Sequence, residues 1–131
     1  LLASPDLVRE IRKAVLPYNL NVFSQIAAEV AVENYEDELR PLVSKIISER
    51  ERLFAELSKI KGLAPVASKG NFMVVKSATD PARIFTDLMT RDILIRDVSS
   101  YPMLGDYFRV SVGAPEENER LLKGLREICE L

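Results

Sequence analysis

The sequence predicts an α+β domain: a three-stranded sheet with helices packed on one face, preceded by a long connecting helix. Two observations carry this. From about residue 62 onward, short segments alternate in the order β-α-β-β-α with brief loops between them, the pattern of a small sheet covered by a helical layer. Before that, residues 36–60 repeat apolar side chains at i, i+3, i+4 and i+7 for longer than any other stretch.

The elements follow in order. Ser4-Pro5-Asp6 reads as a helix start, with Ser4 as N-cap and Pro5 in the first helical position; Leu7, Val8, Ile11 and Val15 form its apolar side. The helix stops before Pro17, because the residue before a proline avoids the helical region. Asn19 or Asn21 then caps a second helix carrying Val22, Phe23, Ile26, Ala27 and Val30. Both of its faces are apolar, so it calls for cover on more than one side, from further chain or from a second subunit.

The long helix carries Leu39, Leu42, Val43, Ile46, Ile47, Leu53, Phe54, Leu57 and Ile60, with Pro41 in its first turn and Gly62 at its end. At ~1.5 Å per residue it would span roughly 35 Å and link two bodies. The boundaries expected on this reading are 1–34 for connector helices and the end of a larger domain, and 35–131 for a small domain. Arg50 interrupts the apolar stripe. It either snorkels at the stripe's edge or is paired, partly buried and holding a neighbouring loop.

Residues 71–76 then alternate as a strand. Asp80 caps a helix whose buried side is Ile84, Phe85, Leu88 and Met89. "ILIRD" (93–97) and "YFRVSVG" (107–113) give two further strands, and 115–130 a final amphipathic helix through Leu121, Leu122, Leu125 and Ile128. The loop "DVSSYPMLG" joins the second and third strands.

Composition narrows the chemistry. Histidine is absent, which excludes a Ser-His-Asp triad, a Cys-His pair and a His-ligated metal built from this chain alone. The single cysteine, Cys129, reads as a buried structural residue; it forms no internal disulfide and suits a reducing cytoplasm. A formal net charge of -2, with the basic residues scattered among acidic ones, argues against nucleic acid. No apolar run approaches the ~20 residues of a membrane span. The apolar start, Leu1-Leu2-Ala3 without a methionine, suggests a piece of something longer.

Two arginines stand out. Arg109 lies inside the third strand, and Arg96 closes the second. Guanidinium groups recognise carboxylate and phosphate through paired hydrogen bonds, so two of them beside one loop could clamp an anion. Open sheet faces also carry arginines paired to surface acids, and the pattern alone leaves both readings open. Tyr18 and Asn19, between a proline stop and a helix start, are a second candidate; capping alone would also explain Asn19. No Gly-rich phosphate loop and no metal-ligand spacing is present.

In order, "LLASPDLVREIRK", "LPYNLNVFSQIAA", "ERERLFAEL" (49–57), "SKGNFMVV" (68–75), "ILIRD" and "FRVSVGAPEENERLL" (108–122) cover essentially the whole chain. Taken together they resemble the C-terminal third of the histidinol-phosphate aminotransferases, fold-type I pyridoxal-phosphate enzymes. The resemblance implies the small C-terminal domain of such an enzyme, working as a cytoplasmic homodimer in histidine biosynthesis. It implies that Arg109 meets the substrate's anionic end, that Arg96 assists it, and that Tyr18 and Asn19 lie near the active-site mouth. Asn71 matches the "NF" asparagine, whose role could be structural. It also implies that the Schiff-base lysine, in a Ser-x-x-Lys motif, and the aspartate that partners the cofactor's ring nitrogen lie upstream of residue 1. No lysine here fits that role: Lys45 follows Ser44 directly, and Lys61, three after Ser58, sits at a helix end. The chain alone is therefore expected to bind no pyridoxal 5'-phosphate, to hold no catalytic residue and to be inactive. One departure is Ala114, where the family often has a capping Thr or Ser.

Two alternatives accompany this reading. A related enzyme acting on aromatic amino acids, or decarboxylating threonine phosphate, would keep the fold and change the substrate. A stand-alone α+β module that binds a small anion would catalyse nothing.

Overall fold

The structure is a computed structural model that describes residues 3–16 and 20–129. It divides into two compact units, Leu1–Pro41 and Leu42–Leu131. No described helix is long and apolar enough to cross a membrane.

The first unit is helical. α1 (Pro5–Arg12) starts as expected, with the Leu7 N–H donating to Ser4 Oγ at 3.4 Å. α2 (Val22–Glu33) is capped by Asn21, whose Oδ1 accepts from the Ser24 N–H at 2.9 Å. No residue of either helix is buried, and Phe23 is 81% exposed.

A single helix over 36–60 is not what forms. A π-helical turn, Tyr35–Leu39, comes first, and α3 runs from Arg40 to Leu57. Pro41 explains the change. It has no N–H to give the carbonyl of Asp37, and its ring crowds that carbonyl. The chain widens by one residue, so that the Arg40 N–H reaches Tyr35 O instead.

The second unit holds the sheet. Its strands are β1 (Leu63–Pro65), β2 (Phe72–Ser77), β3 (Arg96–Asp97) and β4 (Tyr107–Ser111), ordered β1-β2-β4-β3 with every neighbouring pair antiparallel. There are four strands where the sequence predicts three. β1 escaped because three residues ending in a proline show no alternation; Pro65 is tolerated because β1 is an edge. α4 (Pro81–Met89), capped by Asp80, and α5 (Pro115–Cys129) complete the unit.

Period-two alternation decides the faces. Met73 and Val75 on β2, and Phe108 and Val110 on β4, are buried against Leu53 and Leu57 of α3, Ile84 and Leu88 of α4, and Leu121, Leu122 and Leu125 of α5. Burying such side chains contributes roughly 1.5–3 kcal/mol each. At Gly124 a Cβ would stand 2.8 Å from Leu88 Cδ2, so the glycine lets α5 approach α4.

Several expected positions differ. Only the second half of α3 meets this core; Leu42, Val43, Ile46 and Ile47 are 38–52% exposed. Met89, placed on the buried side of α4, is 49% exposed. Cys129 is half-buried against the core rather than enclosed. Arg50 takes the paired role. It is buried, bonded to Glu51 Oε1, and donates from Nη1 to Gly70 O at 3.4 Å, which ties α3 to the loop leading into β2.

Candidate functional site

The sheet's other face is not covered by these helices. On it lie Phe72, Val74 and Lys76 from β2, Tyr107, Arg109 and Ser111 from β4, and Arg96 from β3, because each alternates with a core-facing neighbour. The register sets Arg96 directly opposite Arg109, and Arg109 opposite Val74. The two arginines that the sequence singles out are thus cross-strand partners on one face. Like charges so placed disfavour the pairing unless something neutralises them. Among the described residues no acid does so: neither side chain makes an ion pair or a hydrogen bond. The surface-ion-pair reading left open by the sequence therefore does not describe them.

Arg109 is half-buried. Its Nε is shielded from solvent and meets no acceptor. A buried N–H left without a partner costs about 1–3 kcal/mol, so this donor is one acceptor short. The guanidinium carbon stands 5.0 Å from the centre of the Phe72 ring. Phe72 was not among the residues expected here. A signal was present, since alternation sets this large apolar residue on the side opposite Met73 and Val75, with the arginines.

Asn71 precedes β2, and its carbonyl accepts the Val112 N–H at 2.8 Å; this extends the β2–β4 pairing by a backbone bond, while the residue itself is exposed. Tyr18 and Asn19 lie outside the described residues. The β3–β4 loop is a run of turns, with Tyr101 N–H bonded to Val98 O, Leu104 N–H to Tyr101 O, and Tyr107 N–H to Leu104 O. Asp97, at its start, accepts from the Ser99 N–H at 2.8 Å, and hydrogen bonding from Ser99 holds its carboxyl below the usual range.

A polar cluster supports the far end of β4. Asn118 is 1% exposed. Its Oδ1 accepts from the Gly113 N–H at 3.0 Å, and its Nδ2 donates to Gly113 O and to Glu49 Oε2, both at 2.9 Å. Glu49 also pairs with Arg52, which reaches Glu119 on α5. The hydrogen bonds from Arg52 and then Asn118 hold the Glu49 carboxyl below its ordinary value. Across the turn, Glu117 Oε2 accepts the Ala114 N–H at 2.8 Å. That is the return half of a capping box whose forward half the alanine cannot make.

The donors on the open face are the guanidinium groups of Arg96 and Arg109 and the ammonium of Lys76, with the hydroxyls of Tyr107 and Ser111 beside them. They fit an anionic group of a substrate. They include no carboxylate for a pyridine nitrogen, so the arrangement does not by itself fit a pyridoxal ring.

An antiparallel sheet with one face under helices and the other presenting arginines defines an α+β layer pair with an open, cationic face. The chain belongs to the class I and II aminotransferase family, whose sequence profile ("Aminotransferase class I and II") matches residues 1–125. It is 44% identical over 128 residues to histidinol-phosphate aminotransferase 1 of Carboxydothermus hydrogenoformans, covering 98% of this chain and 36% of that protein. It is 35% identical over 127 residues to the histidinol-phosphate aminotransferase of Aquifex aeolicus, covering 97% and 36%. The chain thus spans about a third of the length of these relatives. The fold is similar to that of the histidinol-phosphate aminotransferase from Clostridium acetobutylicum, with a TM-score of 0.77 at 22% identity over 95% of this chain and 38% of that one. It is similar also to L-threonine-O-3-phosphate decarboxylase from Porphyromonas gingivalis, with a TM-score of 0.81 at 19% identity over 99% and 41%.

Proposed function

We propose that this chain is the C-terminal part of a histidinol-phosphate aminotransferase and supplies the arginines that hold the substrate's phosphate. The observation that carries the reading is the direct cross-strand pairing of Arg96 with Arg109, uncompensated by any acid among the described residues. A phosphate between them would remove their mutual repulsion and give Arg109 the acceptor its Nε lacks. The identity to relatives of that name supports the choice of substrate.

In this reading the parent moves an amino group between histidinol phosphate and 2-oxoglutarate. Pyridoxal phosphate, held by the rest of the parent, supplies the carbanion stabilisation. The residues of this chain bind and orient: Arg109 and Arg96 take the anionic end, and the Asn71 carbonyl helps hold β2 to β4. The Schiff-base lysine belongs to a Ser-x-x-Lys motif upstream of Leu1, so the chain alone transfers no amino group. The parent is a cytoplasmic homodimer, and the exposed apolar side of α2 is covered within it.

The test is Arg109→Ala in the full-length enzyme. A charge-assisted bidentate contact contributes roughly 3 kcal/mol, so kcat/KM for histidinol phosphate should fall about 100-fold. A fall of less than about threefold would exclude the anchoring role.

A further inference from the structure

We infer that Phe72 is a positioning residue: its ring is the platform that orients the Arg109 guanidinium and sets its separation from Arg96. The inference rests on the anion-anchoring reading of Arg109. Three observations carry it. The Arg109 guanidinium carbon lies 5.0 Å from the Phe72 ring centre, within the range of cation–π attraction. No hydrogen bond or ion pair among the described residues holds Arg109, so that ring is the one directed contact found for its charge. Phe72 is 42% exposed and lies off the core-facing side of β2, so burial in the core does not account for a phenylalanine there.

Topology supplies the direction. β4 lies between β2 and β3. Arg96 repels Arg109 from the β3 side. Phe72 sits diagonally across the β2–β4 pair, two residues from Val74, the direct partner of Arg109, and draws the guanidinium toward β2. A guanidinium lying over a ring has one flat face occupied and keeps its edge donors for an anion. An arginine on a bare strand would have to lose its rotamer freedom at the moment of binding instead. The ring therefore acts on anion affinity and on no step that follows binding.

The experiment compares Phe72→Leu and Phe72→Tyr in the full-length enzyme, with histidinol phosphate and with histidinol, which lacks the phosphate. Phe72→Leu should raise KM for histidinol phosphate about two- to fivefold, the fold-change equivalent to an exposed cation–π contact, with kcat and the KM for histidinol unchanged. Phe72→Tyr, which keeps the ring, should match the parent. In an Arg109→Gln background, Phe72→Leu should add nothing. In the full-length enzyme, the Arg109 Nε–H proton resonance should lose its ring-current shift in Phe72→Leu and keep it in Phe72→Tyr. If Phe72→Leu does not fold, Phe72→Met carries the same comparison. Equal effects on both substrates, no effect on either, or failure of Tyr to rescue would overturn the inference. If Arg109→Gln alone weakens histidinol phosphate strongly while Phe72→Leu does not, the platform fails and the anchor stands. If Arg109→Gln changes nothing, both fail.

Discussion

Replacing Asn118 by alanine should weaken the second unit more than any other single polar truncation near the site. The side chain is 1% exposed and makes three hydrogen bonds. The two to the Gly113 backbone are each worth about 1 kcal/mol net, and the one to the Glu49 carboxylate about 1.5–3 kcal/mol. Gly113 is only half-buried, so water recovers part of the backbone loss. The expected destabilisation is about 2–3 kcal/mol, read as a lower urea midpoint at unchanged slope. Asn118→Asp sharpens the test. It keeps the acceptor for the Gly113 N–H but sets a second carboxyl where the amide now lies 2.9 Å from Glu49 Oε2. It should be more damaging at pH 7 than at pH 4, where one proton shared by the two carboxyls restores a donor. A loss below about 1 kcal/mol for the alanine variant, or an aspartate variant indifferent to pH, would show that the cluster does not hold the β4–α5 turn.

Three further outcomes follow from the same region. The Glu49 carboxyl is held low by Arg52 and Asn118, so it binds a proton less readily folded than unfolded. Its contribution is present above the unfolded value of about 4.3 and is lost as pH falls through the lower folded value; Glu49→Gln should be less stable than the parent at pH 7, with the gap closing in urea melts toward pH 3. Ala114→Ser should restore the missing half of the capping box and raise stability by about 1 kcal/mol in the same assay; no gain would mean that Glu117 alone satisfies the helix start. Gly113→Ala would bring a Cβ to 2.6 Å from Glu117 Oε2 and 3.1 Å from Glu117 Cβ. The carboxylate can swing away and the Cβ cannot, so a loss of about 1–2 kcal/mol is expected in thermal melts, and a neutral result would contradict the close packing of this turn.

What was legible in the sequence was local and periodic. Ser4, Asn21 and Asp80 cap their helices as single residues followed by the right neighbours, and the core side of β4 follows from simple alternation. β1 was not legible, because pairing with β2, rather than any pattern in Leu63–Pro65, makes it a strand. The break at 35–39 was hidden because Pro41 acts on a carbonyl four residues earlier, in a stretch whose apolar spacing continues through it. The Glu49–Asn118 bond joins residues 69 apart, each of a type common on surfaces, and nothing near either announces the other.

The candidate site divides along the same line. Arg109 is conspicuous in sequence because a cation interrupts a strand. Its pairing with Arg96 is not, since β3 is a two-residue edge whose register no hydrophobic pattern fixes. Register sets the two arginines directly opposite each other: a slip of one residue would send Arg96 to the covered face, and a slip of two would move it off Arg109 altogether. The supports of β4 therefore bear on the site as well as on stability. β2, tied to α3 through Gly70 and Arg50, presents Phe72, and the Asn118–Gly113 turn fixes the end of β4 beyond Arg109. If the open face holds the substrate's phosphate as proposed, a variant that loosens the turn should weaken that binding even though it touches no anion. The effect should then appear as a raised KM accompanied by a lower melting temperature, whereas Phe72→Leu should raise KM with little change in melting.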